Sequence, residues 1–300
     1  MRRWTLSQAR ENRPMGGQND MPDHSSYALV APRTLLSSPD KADWEGQCRR
    51  LAFAAYLGDD TMLCRTLARF KMYVSTRDEG LGPHLIADGF WEMWVTKVMT
   101  DTVMPGMVCI DAGANVGYYT VLLGELTGHN GKVVAIEPMP GTRRLLERNV
   151  AINGFSGIVD VKGVALGDGP GTVTLYMPPG EPKNALICET PPHPDWESAT
   201  VPLTSIDDMA LPKVDFVKID VEGAEMGVWR GMRRTILANP QIQIMMEVNC
   251  RRYPKQAQAF MKEITDLFKL RHITYEGTIK PITLNEVLEA YDDVMLFLKR

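Results

Sequence analysis

The sequence predicts an α/β fold: a seven-stranded, mostly parallel sheet with helices on both faces, preceded by a helical extension. Three observations predict it. Strand-like and helix-like segments alternate from residue 107 to residue 299, the pattern of a parallel sheet with crossover helices. Turn signals such as Pro105-Gly106, Asn153-Gly154 and Asn239-Pro240 punctuate that alternation. The 300 residues are 44% hydrophobic and 23% charged, an ordinary globular composition that excludes a disordered chain or a disulfide scaffold.

Residues 1–40 are polar and broken by Pro14, Gly16, Gly17, Pro22, Pro32 and Pro39, and are expected to form a mobile tail. Residues 41–80 are expected to form the helical extension. Trp44, Cys48, Leu51 and Ala55 share one helical face. Leu63, Leu67 and Phe70 repeat the pattern after Gly58 and an Asp59/Asp60 cap, and Lys71–Ser75 reads as a short strand.

Residues 81–300 are expected to form the α/β domain. Helices are expected over Leu81–Asp88 and Trp91–Thr102. Strands are expected at Met107–Ala112, Lys132–Glu137, Ile158–Val164, Val214–Asp220, Gln241–Val248, Ile273–Glu276 and Val294–Lys299. Between them, Leu145 to Val150 and Val228 to Ile236 carry helical spacing. Ala257, Phe260, Met261, Ile264, Leu267 and Phe268 make the clearest amphipathic stripe. Thr283 with Glu286 has the spacing of a capping box. Val173–Met177 reads as an extra strand, and the proline-rich stretch 178–202 as an insertion, either solvated or folded toward the acceptor.

With 33 Lys and Arg against 37 Asp and Glu, the chain carries a net charge of −4, so no nucleic-acid partner is expected. Cys48, Cys64, Cys109, Cys188 and Cys250 are widely spaced with no CxxC, which argues against a zinc site or disulfide framework and for a reducing compartment. No apolar run approaches the roughly 18 residues of a spanning helix. The N-terminal stretch has basic residues without an apolar core, so no secretory signal and a cytoplasmic location are expected.

Ligands on such sheets bind beyond the carboxyl ends of the strands. The first strand of the alternation runs into Asp111-Ala-Gly113-Ala-Asn115-Val-Gly117, where small residues let the backbone turn sharply and approach a ligand. It is not a dinucleotide fingerprint: Asn115 stands where a glycine is required, and an acid at Asp111 disfavours a pyrophosphate. The second strand ends in Glu137-Pro138, roughly two dozen residues beyond Gly113, near the spacing at which an acid grips ribose hydroxyls. A glycine turn and a strand-end acid together specify a nucleoside ligand without a diphosphate.

The turn DAGANVGYYT (111–120) resembles motif I of class I S-adenosylmethionine-dependent methyltransferases. VKIDVEGAE (217–225) is similar to the characteristic motif of the FkbM-type methyltransferases. GFWE (89–92), AIEP (135–138), NVAING (149–154), VALGD (164–168), VPLTSIDD (201–208) and EVN (247–249) match in the same order. The resemblance covers roughly residues 80–300. It implies a Rossmann-like fold, S-adenosylmethionine as methyl donor, and O-methylation of a hydroxyl on a sugar, glycan or secondary metabolite. The acceptor is not inherited with the fold.

On that resemblance the donor site is expected to use Asp111, Gly113, Asn115, Gly117, Tyr118, Glu137, Pro138, Ala165 and Asp220. Asp111 is expected to face the methionine ammonium and Ala165 to line the adenine pocket through its backbone. Asp220, Glu222 and Glu247 are the expected catalytic acids: Asp220 electrostatic, Glu247 the general base, Glu222 beside them. Glu92 is placed near the mouth. A divalent metal held by these acids is a less favoured reading, because spacing alone does not show compatible ligand positions. The rival readings are an N-methyltransferase on a small amine, a nicotinamide-dependent oxidoreductase, and a non-catalytic S-adenosylmethionine-binding module. The oligomeric state is not legible.

Overall fold

The structure, a computed structural model, describes residues 29–180, 186–187 and 192–300. The chain begins with α1 (Pro32–Leu35) and α2 (Lys41–Leu51), followed by an antiparallel meander of β1 (Phe53–Gly58), β2 (Thr61–Thr66) and β3 (Phe70–Ser75). Helices α3 (Gly82–Ala87) and α4 (Met93–Thr102) lead into the main domain. There β4 (Val108–Ala112), α5 (Tyr118–Thr127), β5 (Lys132–Ile136), α6 (Pro140–Ile152) and β6 (Val159–Lys162) alternate. A smaller sheet follows from β7 (Ala165–Leu166), β8 (Gly171–Met177), β9 (Leu186–Ile187) and β10 (Glu197–Thr204). The chain then returns through β11 (Phe216–Ile219), α7 (Glu225–Arg230), α8 (Arg233–Ala238), β12 (Gln243–Val248), α9 (Ala257–Thr265), β13 (Arg271–Ile273), β14 (Ile279–Pro281), α10 (Leu284–Glu289) and β15 (Val294–Lys299).

The main sheet has the order β14-β13-β15-β12-β11-β4-β5-β6. Strands β6, β5, β4, β11 and β12 run parallel, while β15 enters antiparallel between β12 and β13. Period-two alternation explains why its strands read as continuous apolar runs. Cys109, Val133, Phe216, Met245 and Phe297 point to one core, and Ile110, Val134, Val217, Ile244 and Leu298 to the other. Helices α4 to α6 cover the first face and α7 to α10 the second. From β4 the chain winds outward through β5 and β6, then returns to place β11 on the other flank of β4. That reversal opens a crevice at the carboxyl ends of β4 and β11.

Several expectations are corrected. Among the described residues the main sheet has eight strands, because Ile279–Pro281 pairs with β13 as a short hairpin. The second helix expected in the extension is absent: Leu63 lies in β2, and Leu67 and Ala68 turn with positive φ. Asp59 and Asp60, read as a helix cap, both have positive φ and form the two-residue turn between β1 and β2. Leu63, Leu67 and Phe70 keep a helical spacing although they fall in β2, in the turn after it and at the start of β3. Of the expected tail, residues 1–28 lie outside the described residues, while Leu35 and Leu36 are buried in the core.

Stretch 178–202 is in part a sheet. Its end, from Glu197, pairs with β8 as β10, and Pro202 faces Thr172 within that ladder. Residues 181–185 and 188–191, including Cys188, lie outside the described residues. The helix expected over Val228 to Ile236 is broken at Gly231, where the backbone meets the Gly167 carbonyl closely: a Cβ there would stand 2.0 Å from that oxygen. The Thr283–Glu286 capping box forms as read. Cys48, Cys64, Cys109 and Cys250 are buried free thiols. Among the described residues no helix is long and apolar enough to cross a membrane.

Candidate functional site

One pocket of about 770 Å³ lies in this crevice. Its floor is the turn after β4. Ala112 pairs with Ile219 across β4 and β11, so Gly113 meets the first residue after β11. A Cβ at Gly113 would stand 1.8 Å from the Asp220 carbonyl oxygen, and its φ is +79°. Only glycine fits on both counts. Gly117, at φ +95°, starts α5, and a Cβ there would lie 2.6 Å from Leu146 Cδ1.

Glu137 closes β5 and is buried. Its Oε2 accepts the Asn115 amide at 3.0 Å and its Oε1 the Met139 amide at 2.9 Å, so it ties the glycine turn to the start of α6. Burial pushes its carboxyl up to about 7, against the two amides that hold it down. Two oxygens with about four acceptor positions leave room for two more donors. Asn115 sits at φ +50° and its Oδ1 accepts the Val116 amide at 2.7 Å.

Beyond β11 and β12 the carboxylates converge. Asp220, Glu222 and Glu247 each place an oxygen within 4.8 Å of the others. Arg252 reaches into them, 2.8 Å from Glu222, 3.1 Å from Asp293 and 4.0 Å from Glu247. Burial, followed by repulsion from Asp220, raises Glu222 to about 7. The same two causes, in the same order, with Asp293, Glu92 and Glu222 adding to them, push Glu247 far above the ordinary carboxylate range. The arrangement disfavours a free carboxylate at Glu247 and concentrates cation-seeking oxygens around one point.

Of the expected site residues, Gly113, Asn115, Tyr118, Glu137, Pro138, Ala165, Asp220, Glu222 and Glu247 line this one pocket, as does Glu92. Two do not. Asp111 lies fully buried beneath the turn, where its Oδ2 accepts Thr120 Oγ1 at 2.6 Å, and is not part of the pocket lining. Gly117 shapes the turn from behind. For the metal reading, the three acids are close enough for one ion, but the guanidinium of Arg252 already stands beside Glu222.

Sequence reasoning passed over Lys218, Arg252, Asp293, Tyr119 and Trp91, which also line the pocket. Lys218 had a signal: a lysine in the middle of an apolar strand that is buried on both faces has to meet a charge. Arg252 lies in the short 3-10 turn after β12 and Asp293 just before β15, neither within a recognisable pattern.

A glycine turn at the switch point, an acid closing the neighbouring strand and carboxylates at two further strand ends meet in one crevice, where open α/β sheets take their ligands. The family model described as the methyltransferase FkbM domain matches residues 111–299. The chain belongs to that family, whose methyl donor is S-adenosylmethionine.

Over 90 residues, 30% of this chain and 34% of the relative, it is 33% identical to a protein-L-isoaspartate O-methyltransferase of Aeropyrum pernix. Over 154 residues, 41% of this chain and 59% of the relative, it is 26% identical to methyltransferase sdnD of Sordaria araneosa. The chain thus spans less than two thirds of either relative. A solved FkbM methyltransferase from Methylobacillus flagellatus KT is 19% identical, with 64% of this chain and 43% of that one covered and a TM-score of 0.42.

Proposed function

We propose that the protein methylates a hydroxyl group of a sugar, glycan or secondary metabolite, with S-adenosylmethionine as the substrate that supplies an activated methyl group. The observation that carries this reading is the pocket itself. It brings the Gly113 turn, Glu137 and the carboxylates of two neighbouring strands around one space of about 770 Å³. That volume lies within the range of small-molecule sites, roughly 300–1,000 Å³, and at its upper end accommodates a nucleoside and a compact acceptor.

The residues fit the donor. The free acceptor positions of Glu137 suit two ribose hydroxyls, and the glycine turn leaves the backbone open to close approach. Pro138 and Ala165 line the neighbouring wall, where adenine would lie, and Asn115 the methionine end. Asp220, with Glu222 beside it, supplies negative charge where a sulfonium would be held. Asp220 takes the acceptor's proton. This reverses the expected division of labour: burial and its neighbours keep the proton on Glu247, and a neutral carboxyl is a poor base. Much of the rate then comes from holding the acceptor oxygen in line with the methyl carbon.

Calorimetry with S-adenosylmethionine and with NAD tests the nucleoside assignment; binding of NAD in place of the methyl donor would refute it. A methyl-transfer screen over hydroxylated sugars and polyketide-type alcohols tests the acceptor class.

A further inference from the structure

Lys218 is a pocket residue whose placement the reaction above leaves unexplained. It stands in the middle of β11 with 2% of its side chain exposed, and it lines the pocket. Burial alone would lower its pKa. The Asp220 and Asp111 carboxylates outweigh burial and push it upward, so the ammonium keeps its proton.

An ammonium has three N–H donors. One is used on Asp220 Oδ2, at 3.0 Å. Asp111 Oδ1, at 3.9 Å, lies beyond hydrogen-bond reach and has no hydrogen-bond partner. The face of the Tyr119 ring lies 4.8 Å away. Leaving donors of a buried cation unused is costly unless something else occupies them.

We propose that Lys218 is a catalytic residue that donates a hydrogen bond to the acceptor oxygen, and that the Lys218–Asp220 pair selects a hydroxyl over an amine. The inference rests on the methyltransferase reading above. A hydroxyl presents one O–H and two lone pairs. Its proton goes to Asp220, one lone pair accepts from Lys218, and the other attacks the methyl carbon. The new O–CH₃ bond forms as the S–CH₃ bond breaks. The sulfonium keeps that electron pair and becomes a neutral thioether, and the proton leaves on Asp220. Negative charge building on the oxygen is met by a fixed cation.

A neutral amine has a single lone pair. Bonded to Lys218 it has nothing left for the methyl group, and protonated it is repelled. A carboxylate acceptor brings no proton and meets Asp220 as a like charge.

The test compares the full-length wild type with Lys218→Met, and with Lys218→Met in an Asp111→Asn background. The second variant removes a buried carboxylate along with its cation and guards against misfolding, which thermal unfolding monitors. Donor affinity is read by calorimetry. Turnover is read on methyl glycosides and on the matched amino-sugar glycosides. The expected result is methylation of hydroxyls by the wild type, with kcat falling about 100-fold in folded variants. Donor Kd should stay within about threefold. Turnover within about threefold of wild type in either folded variant, a parallel collapse of donor affinity, or preferential methylation of the amines would overturn the assignment. Failure of the wild type to bind S-adenosylmethionine at all would instead sink the methyltransferase reading, and this inference with it.

Discussion

Glu137 holds two backbone amides while buried at the end of β5, and both its charge and its position are testable. Glu137→Ala should cost about 1.5–3 kcal/mol of donor affinity, the loss of charged hydrogen bonds to ribose, read by calorimetry on folded protein. Unchanged affinity would remove Glu137 from the donor site. Its pH dependence has a defined sign. The carboxyl titrates near 4.5 when free and is raised to about 7 in the fold, so the folded state binds the proton more tightly. The stability this contributes is complete below pH 4.5 and is lost as pH rises through about 7. The melting temperature of donor-free protein should therefore fall across that window, and fall less in Glu137→Gln. Donor affinity should move the other way, because ribose hydroxyls bond best to the ionised form. Glu137 was legible in the sequence because strand-end spacing fixes where its side chain goes. Lys218 was legible only in part: a lysine in an apolar strand called for a charged partner, but only the pairing of β11 with β4 shows that Asp111 stands beside it.

Elements carry the site by register. Gly113 can approach Asp220 only because β4 and β11 pair Ala112 with Ile219. Gly113→Ala should therefore abolish donor binding, or unfold the turn, since its Cβ would overlap a backbone oxygen that cannot swing aside. Normal binding by this variant would mean the donor lies elsewhere. The capping box at α10 gives a milder case: Thr283→Ala should destabilise by about 1 kcal/mol, seen in urea unfolding, with donor affinity untouched. Parallel strands and amphipathic helices such as α9 were legible because long apolar periodicities have one interpretation. The meander was not. Leu63, Leu67 and Phe70 satisfy a helical spacing by coincidence, and only pairing with β1 and β3 reveals β2. Likewise Pro202 disguised β10, whose partner β8 lies across an intervening segment.

At the scale of the whole molecule, one sheet separates two cores, and each face depends on strands far apart in the chain. β15 is the sharpest example. It lies between β12 and β13, and its Leu296, Phe297 and Leu298 are buried on alternating faces. Phe297→Ala should cost about 3–5 kcal/mol in denaturant unfolding, as a core truncation rather than an edge effect. A loss below about 1 kcal/mol would show that this strand end is peripheral.

The place of β15 also sets an order of events during synthesis. It is the last of the eight strands in chain order, yet it fills an interior seat in the sheet, and Asp293, which lines the pocket, comes immediately before it. While the chain is still leaving the ribosome, β12 has no neighbour on one side and the carboxylate ring around Arg252 lacks a member. Nascent chains fold progressively from their N-terminal end. Here the glycine turn and Glu137 can be in place early, whereas the charged cluster around Arg252 is completed only once residues 293–299 have emerged. Competence for chemistry then arrives as a late, single event, and a prematurely released chain would carry half a binding site.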